Sequence, residues 1–147
     1  MTDAVITVKQ PFASAILLAG KDVENRSWST DFRGRLWIHA AQRWWTEPIR
    51  PEVKRAIGAN LLHDHTLPRG GIIGCVDLVD VLAPDDPHYR TRVGRYSSRW
   101  ATRGMHHWVL ANPRPLRRVI PWQGRQSLTY VERDEIREAA RRLSPAR

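Results

Sequence analysis

The sequence predicts an α+β domain, in which a mixed sheet carries a few helices. Two runs with β-branched or alternating side chains, Ala4–Val8 and Arg35–Ala40, predict strands in the first third of the chain. Two further runs, Ile72–Leu82 and His106–Ala111, predict strands in the second half. Because the strands do not alternate regularly with helices, the order argues against a doubly wound parallel sheet.

Three segments predict helices. Pro11 opens a helix that Gly20 ends, because proline is tolerated in the first turn and glycine favours a helix C-terminus. A second helix is predicted over Pro51–Ala59. A charged C-terminal helix is predicted over about Val131–Leu143, with apolar residues on one side. Between the first helix and the second strand, Lys21–Arg26 is predicted to be extended.

Glycine and proline refine these strands. Gly74 inside the long strand indicates a bulge or a close packing contact. Pro113 and Pro115 restrict the segment after Ala111 to a sheet edge or a turn. The polar, arginine-rich segment Ala83–Arg103 has no clear periodicity, which is typical of a functional or mobile loop.

Length and composition limit the possible classes. The 147 residues correspond to a single domain, residues 1–147, without repeats or linkers. The one cysteine, Cys75, cannot form an internal disulfide or a cysteine-based zinc site. Phosphate-loop, dinucleotide and zinc-histidine motifs are absent, so no metal and no cofactor is predicted. The N-terminus does not resemble a signal peptide, and the longest apolar run is too short for a membrane span. We therefore expect a cytoplasmic protein.

The charge and the tryptophan content are compatible with a nucleic-acid partner, and the arginine excess is equally compatible with the codon usage of a GC-rich genome. The 24 basic and 15 acidic residues give a net charge of +9, and arginine dominates the basic residues. Arginine forks onto phosphates and stacks on bases, which suits a nucleic-acid partner. A GC-rich genome would produce the same excess. The seven tryptophans include many expected core residues, but some are candidates for base stacking.

The densest polar cluster is Lys21, Glu24 and Arg26. In an extended segment Glu24 and Arg26 share one face, because side chains alternate. Such a group can bind phosphate or a base edge, or supply a general base or a lysine of lowered pKa. A surface ion-pair strand would have the same composition and little energetic value.

Two histidines are weaker catalytic candidates. His39 lies beside Trp37 in an alternating strand, and His107 lies in the strand that begins at His106. A histidine next to an aromatic residue is more often a satisfied core residue than a catalyst. Neither histidine belongs to a known zinc motif.

Three pieces of sequence, in order, resemble the ASCH domain of the PUA-like superfamily. They are Gln10-Pro11, the Gly-Lys-x-x-Glu-x-Arg segment over 20–26, and the Arg-Gly-x-x-x-Ile-His-Ala segment over 33–40. The resemblance covers about residues 4–130. It implies a small, mixed but mostly antiparallel β-barrel with flanking helices. It also implies a cleft, floored by residues 20–26, that takes RNA, another single strand or a nucleotide.

The resemblance assigns roles to individual residues. Arg26 would fork onto a phosphate or base edge, and Glu24 would accept a hydrogen bond from a base. Lys9 and Gln10 would add an anion site beside the first helix. The remaining ligand-binding candidates are stacking aromatics and an outer phosphate track: Trp28, Trp37 and Trp100, with Arg99, Arg103 and the other arginines of 90–103.

The same resemblance also allows an enzymatic function. Some family members hydrolyse an N4-acylated cytidine, a modified nucleoside, and others are described as ribonucleases. In the amidohydrolase members the lysine matched by Lys21 works with a threonine three residues on and a later glutamate. Here Glu24 takes the threonine's place, and no glutamate lies between Glu52 and Glu132. A hydrolase using Lys21 and Glu24, with His39 or His107 assisting, is the alternative to RNA binding. A protein-binding adaptor is the third possibility.

Overall fold

The computed structural model describes residues 1–86 and 98–143. Within them the elements follow one another in the order β1 (Thr2–Gln10), α1 (Phe12–Leu18), β2 (Val23–Arg26), β3 (Gly34–Trp44), α2 (Pro51–Ile57), α3 (Ala59–Leu62), β4 (Gly71–Leu82), β5 (His106–Pro121), β6 (Thr129–Glu132) and α4 (Arg133–Arg141). The predicted α+β class is confirmed. None of the helices in the described part is long and apolar enough to cross a membrane.

The described strands form one sheet with the order β2-β5-β4-β3-β1-β6. Strands β1 and β3 run parallel, and the other neighbours are antiparallel. The sheet is therefore mixed and mostly antiparallel, as expected. Its edge strands β2 and β6 do not pair with each other within the described residues, so the expected closed barrel is not what the sheet forms.

The two faces of the sheet carry separate cores. Leu36 and Ile38 of β3 lie in a cluster with Ile16 and Leu17 of α1. On the other face, Trp37 lies in a cluster that includes Ile136 of α4. The predicted alternation along β3 is confirmed. Burying both faces fits an apolar stripe on each helix that covers the sheet.

Gly74 permits close packing between α1 and the sheet. A Cβ atom at this position would lie 2.6 Å from Leu17 Cδ1 and 2.7 Å from the Arg114 carbonyl oxygen. The β4–β5 register shifts between Ile72 and Gly74. Both alternatives predicted for this glycine, a bulge and a close contact, are therefore present.

Strand β5 is longer than predicted because its prolines lie on a sheet edge. It continues through Pro113 and Pro115 to Pro121. Its second neighbour, β2, pairs with it only over 106–109, so beyond that point one side of β5 has no partner strand in the described part of the chain. A proline without an N–H is accommodated on such an edge.

Two helix boundaries differ from the predictions. Val131 belongs to β6, which pairs with β1, so the C-terminal helix begins at Arg133 rather than at 131. The second predicted helix breaks at Gly58, whose φ of +84° ends α2 before Ala59. Of the predicted 83–103 loop, residues 87–97 lie outside the described residues, including Arg90, Arg92 and Arg95.

Candidate nucleic-acid interface

A cleft of about 960 Å³ lies on one face of β1 and β3. Thr7 and Lys9 of β1 line it, together with His39, Ala41 and Arg43 of β3. These residues are two apart along each strand, which is the spacing of side chains on one face. Strand β2, helices α1 and α2 and residues 124–126 complete the walls.

Lys21, Glu24 and Arg26 meet at the cleft as one ion-pair network. Lys21 Nζ donates to Glu24 Oε1 at 2.8 Å and to the Val23 carbonyl oxygen. Arg26 donates to Glu24 Oε2 from Nη2 at 2.8 Å and from Nε at 3.2 Å. Strand β2 brings Glu24 and Arg26 together, because residues 24 and 26 lie on one face of the strand. The structure thus brings the three residues of the predicted cluster together.

This network is buried, unlike a surface ion pair. Lys21 is 3% exposed and Glu24 is 8% exposed. Burial by itself would raise the pKa of Glu24, but the charges of Lys21 and Arg26 and their hydrogen bonds lower it to about 2. Glu24 is therefore a carboxylate at neutral pH, held by two cations.

Arg26 is fixed by the backbone as well as by Glu24. Its Nη2 atom also donates to the Thr7 carbonyl oxygen at 2.8 Å, and its side chain is 18% exposed. The Nη1 amino group has no hydrogen bond within the described residues and belongs to a side chain that lines the cleft. Arg26 thus offers donors whose position is set before any ligand arrives.

Aromatic side chains form much of the cleft wall. Phe12 contacts Trp45 edge to face at a centroid distance of 5.1 Å, and Lys21 Nζ lies 5.7 Å from the Phe12 ring. Trp28 lines the cleft and rests edge to face on the buried Trp108. These rings give a ligand apolar surfaces next to the cations.

Trp100 is placed in the wall by Asn25. Trp100 is 5% exposed, and it packs with Val23 and α2. The Asn25 side chain accepts from Thr102 N and donates to the Trp100 carbonyl oxygen, both at 2.8 Å. Trp100 therefore shapes the cleft, but its small exposed fraction leaves little surface for stacking.

His39 holds the strap formed by residues 122–126 rather than pointing a free nitrogen into the cleft. Its Nε2 atom donates to the Trp122 carbonyl oxygen at 2.7 Å, so Nδ1 accepts from the Thr7 hydroxyl at 3.2 Å in the neutral ring. Burial lowers the pKa of His39, although the Trp122 bond acts in the opposite direction. His39 is thus neutral near pH 7, with both nitrogens engaged.

His107 lies away from the cleft lining. It is buried in β5, and its Nε2 atom donates to the Thr102 carbonyl oxygen at 2.8 Å. Burial lowers its pKa. The structure places His107 as a support for the 98–105 segment and does not bring it to Lys21 and Glu24.

Four other predicted ligand contacts also lie outside the cleft lining. Trp37 lies on the same face of β3 as His39, two residues away, but it is buried against α4 outside the cleft; its Nε1 donates to Asp3 Oδ2 at 3.0 Å, so it is not a stacking surface. Gln10 is fully buried and bonds to Ser14 and to the Pro68 carbonyl oxygen. Arg99 and Arg103 are exposed at the surface without lining the cleft.

Sequence reasoning missed several lining residues, among them Phe12, Arg43, Trp45, Arg50 and Arg125. The strand register would have identified Arg43, since the parallel pairing of Thr7 with His39 brings β1 and β3 side by side. Arg125 comes from a connection whose path depends on tertiary contacts. No local signal in the sequence indicates where it lies.

Comparison with known proteins identifies the family. A model of the ASCH domain matches residues 6–119. The chain belongs to the ASCH domain family. This ASCH domain is 38% identical over 85 residues to human Activating signal cointegrator 1 and 36% identical to the mouse protein. Each match covers 53% of this chain and 14% of the relative, so the chain spans a small part of those proteins.

Solved ASCH structures share the fold. The ASCH protein from Zymomonas mobilis superposes with a TM-score of 0.60 at 21% identity, covering 95% of this chain and 94% of that one. A tyrosine-to-phenylalanine mutant of the same protein gives a TM-score of 0.57 at 21% identity, covering 95% and 97%. At this identity the similarity establishes the fold alone.

Proposed function

We propose that this ASCH domain binds single-stranded RNA or a nucleotide in the cleft. The observation that carries the proposal is the composition of the lining: six cationic and four aromatic side chains surround one carboxylate. That carboxylate, Glu24, is already neutralised by Lys21 and Arg26. Cations beside aromatic rings are the groups that bind a phosphate backbone and stack on bases.

The contacts of the central network favour binding over hydrolysis. A general base works best with a pKa near the operating pH, whereas the pKa of Glu24 is about 2. The Lys21 amino group donates to the Val23 carbonyl oxygen and to Glu24, so these contacts commit it to holding the network together rather than to attacking a ligand. These side chains stabilise the cleft and hold Arg26 for a ligand.

A fluorescence titration with a labelled single-stranded RNA of about ten nucleotides tests the proposal. We expect saturable binding whose log K falls with log salt at a slope of roughly −2, the value for about three phosphate contacts on a single strand. Chromatography of N4-acetylcytidine and of the RNA after incubation should show no product. Turnover that disappears in Glu24→Gln would favour the hydrolase.

A matched pair of charge variants separates the cleft from general basicity. Ala41→Glu places a carboxylate on the cleft floor, and Val79→Glu makes the same change at an exposed position of β4 outside the lining. We expect at least a tenfold loss of affinity for Ala41→Glu and less than twofold for Val79→Glu. Equal losses, with both variants folded by circular dichroism, would show that net charge rather than the cleft binds the RNA.

A further inference from the structure

The cleft rim carries three cations that the central network does not use. Lys9, Arg43 and Arg125 line the cleft and are exposed. None of them is paired with a carboxylate among the described residues, whereas Arg50, a fourth rim cation, pairs with Glu52 at 3.3 Å. An exposed cation without a partner remains available to an anionic ligand.

The backbone brings these three cations to one place. The β1–β3 register shifts between Val8, which pairs with Ala40, and Gln10, which pairs with Trp44, so residues 41–43 of β3 lie opposite Lys9. Arg125 N donates to Thr7 Oγ1 at 3.3 Å. Thr7 and Lys9 are two residues apart on one face, roughly 7 Å along the strand.

Arg125 reaches the cleft because residue 124 is glycine. A Cβ atom at Gly124 would lie 2.6 Å from His39 Cε1, 2.9 Å from His39 Nδ1 and 3.1 Å from Thr7 Oγ1. The buried His39 ring cannot retreat without breaking its bond to the Trp122 carbonyl oxygen. Any larger residue at 124 therefore moves the strap outward and takes Arg125 with it.

We propose that Lys9, Arg43 and Arg125 form a phosphate subsite at the cleft mouth, with His39 and Gly124 positioning Arg125. The proposal rests on the binding function proposed above and narrows its ligand to phosphorylated nucleotides or RNA rather than free nucleosides. Thr7 separates this subsite from the inner network, because its hydroxyl accepts from Arg125 N while its carbonyl accepts from Arg26. With its phosphate bound at the rim, a nucleotide would place its base against the aromatic side chains deeper in the cleft.

Calorimetric titration of the full chain with the four ribonucleosides, their 5′-monophosphates and dinucleoside monophosphates tests the subsite. We expect at least one monophosphate to bind about tenfold more tightly than its nucleoside. The Arg43→Ala/Arg125→Ala variant should reduce that ratio to below about twofold. Gly124→Ala should reduce the ratio in the same direction. A gain confined to the dinucleotide would assign the subsite to a phosphodiester of RNA.

The matched control is Arg55→Ala/Arg117→Ala, which removes two exposed arginines outside the cleft lining. It should keep the phosphate-dependent gain. Equal affinity for nucleoside, monophosphate and dinucleoside monophosphate, unaffected by the rim variants, would overturn the subsite while the binding function stands. Failure of every nucleoside, nucleotide and RNA to bind would overturn both.

Discussion

Two buried carboxylates, one in the cleft lining and one outside it, have similar partners and different surroundings. Glu24 lies between Lys21 and Arg26, whereas Asp3 accepts from both Arg133 and the Trp37 indole. Arg26 and Arg133 have nearly equal exposure, at 18% and 19%.

The comparison shows that a buried ion pair does not by itself indicate a binding site. The Asp3 network joins β1 to the start of α4 and lies outside the cleft lining. The Glu24 network lines the cleft, beside Trp28 and Trp45. It also contains a second cation, Lys21, that is almost completely buried. These differences predict that the networks respond differently to matched substitutions.

The largest expected effect is on stability. Glu24→Gln leaves the Lys21 ammonium buried without a carboxylate, so the free energy of unfolding should fall by about 3–5 kcal/mol. Asp3→Asn should cost less, about 1–3 kcal/mol, because Arg133 can reach solvent and the Trp37 indole keeps an oxygen acceptor. Urea denaturation of both variants measures the difference.

Adding Lys21→Met to Glu24→Gln should recover part of the loss, because the unpaired charge is removed. If Asp3→Asn proves the more destabilising substitution, the burial of Lys21 is not what distinguishes the two networks.

The second effect is a loss of stability in acid. The folded pKa of Glu24 is about 2 against an ordinary value of 4.5, so the unfolded state binds more protons between these values. The contribution of ionised Glu24 to the free energy of unfolding is therefore fully present above pH 4.5. It is lost as the pH drops toward 2, and amounts to about 3 kcal/mol. Urea denaturation at several pH values in this range measures the free energy of unfolding against pH. The slope of that free energy with pH should be shallower for Glu24→Gln than for the wild type. A wild-type slope in that variant would contradict the assignment.

The sequence allowed the Glu24 network to be predicted more fully than the Asp3 network. Lys21, Glu24 and Arg26 lie within six residues, and strand alternation puts the last two on one face. Asp3 and Arg133 are 130 residues apart, and only the pairing of β1 with β6 brings them together.

The same reason limits the prediction of the cleft itself. The strands, the first helix and the mixed fold could be read from local patterns. The later start of the C-terminal helix, at Arg133, and the placement of Arg125 depend on contacts between distant segments. Trp37 is a predicted ligand contact, but α4 covers it. An aromatic residue in a strand does not reveal where on the sheet a distant helix packs.

A smaller effect concerns ligand affinity at the two arginines. Arg26→Lys keeps a positive charge near Glu24 but loses the planar fork held by Glu24 and Thr7. RNA affinity should fall about tenfold, or about 1.4 kcal/mol, the scale of one hydrogen bond to a charged group. Arg133→Lys makes the same change in the Asp3 network and should leave affinity within twofold of wild type. Fluorescence titration of both variants distinguishes recognition from charge, and equal losses would mean that the fork does not contact the ligand.

The smallest expected effect concerns the two tryptophans. Trp28 lines the cleft, while Trp37 is 6% exposed and lies outside the cleft, buried beside Asp3 and α4. Trp28→Leu removes a ring on which a base would stack, and RNA affinity should fall by about 1 kcal/mol, roughly fivefold. Trp37→Phe keeps its bulk but removes the donor to Asp3, so it should lower stability and leave affinity unchanged. The two variants are therefore expected to separate affinity from stability, because Trp28 lines the cleft and Trp37 is buried outside it. Loss of RNA affinity in Trp37→Phe at a temperature where it is fully folded would contradict that separation and would show that ligand binding depends on residues outside the cleft.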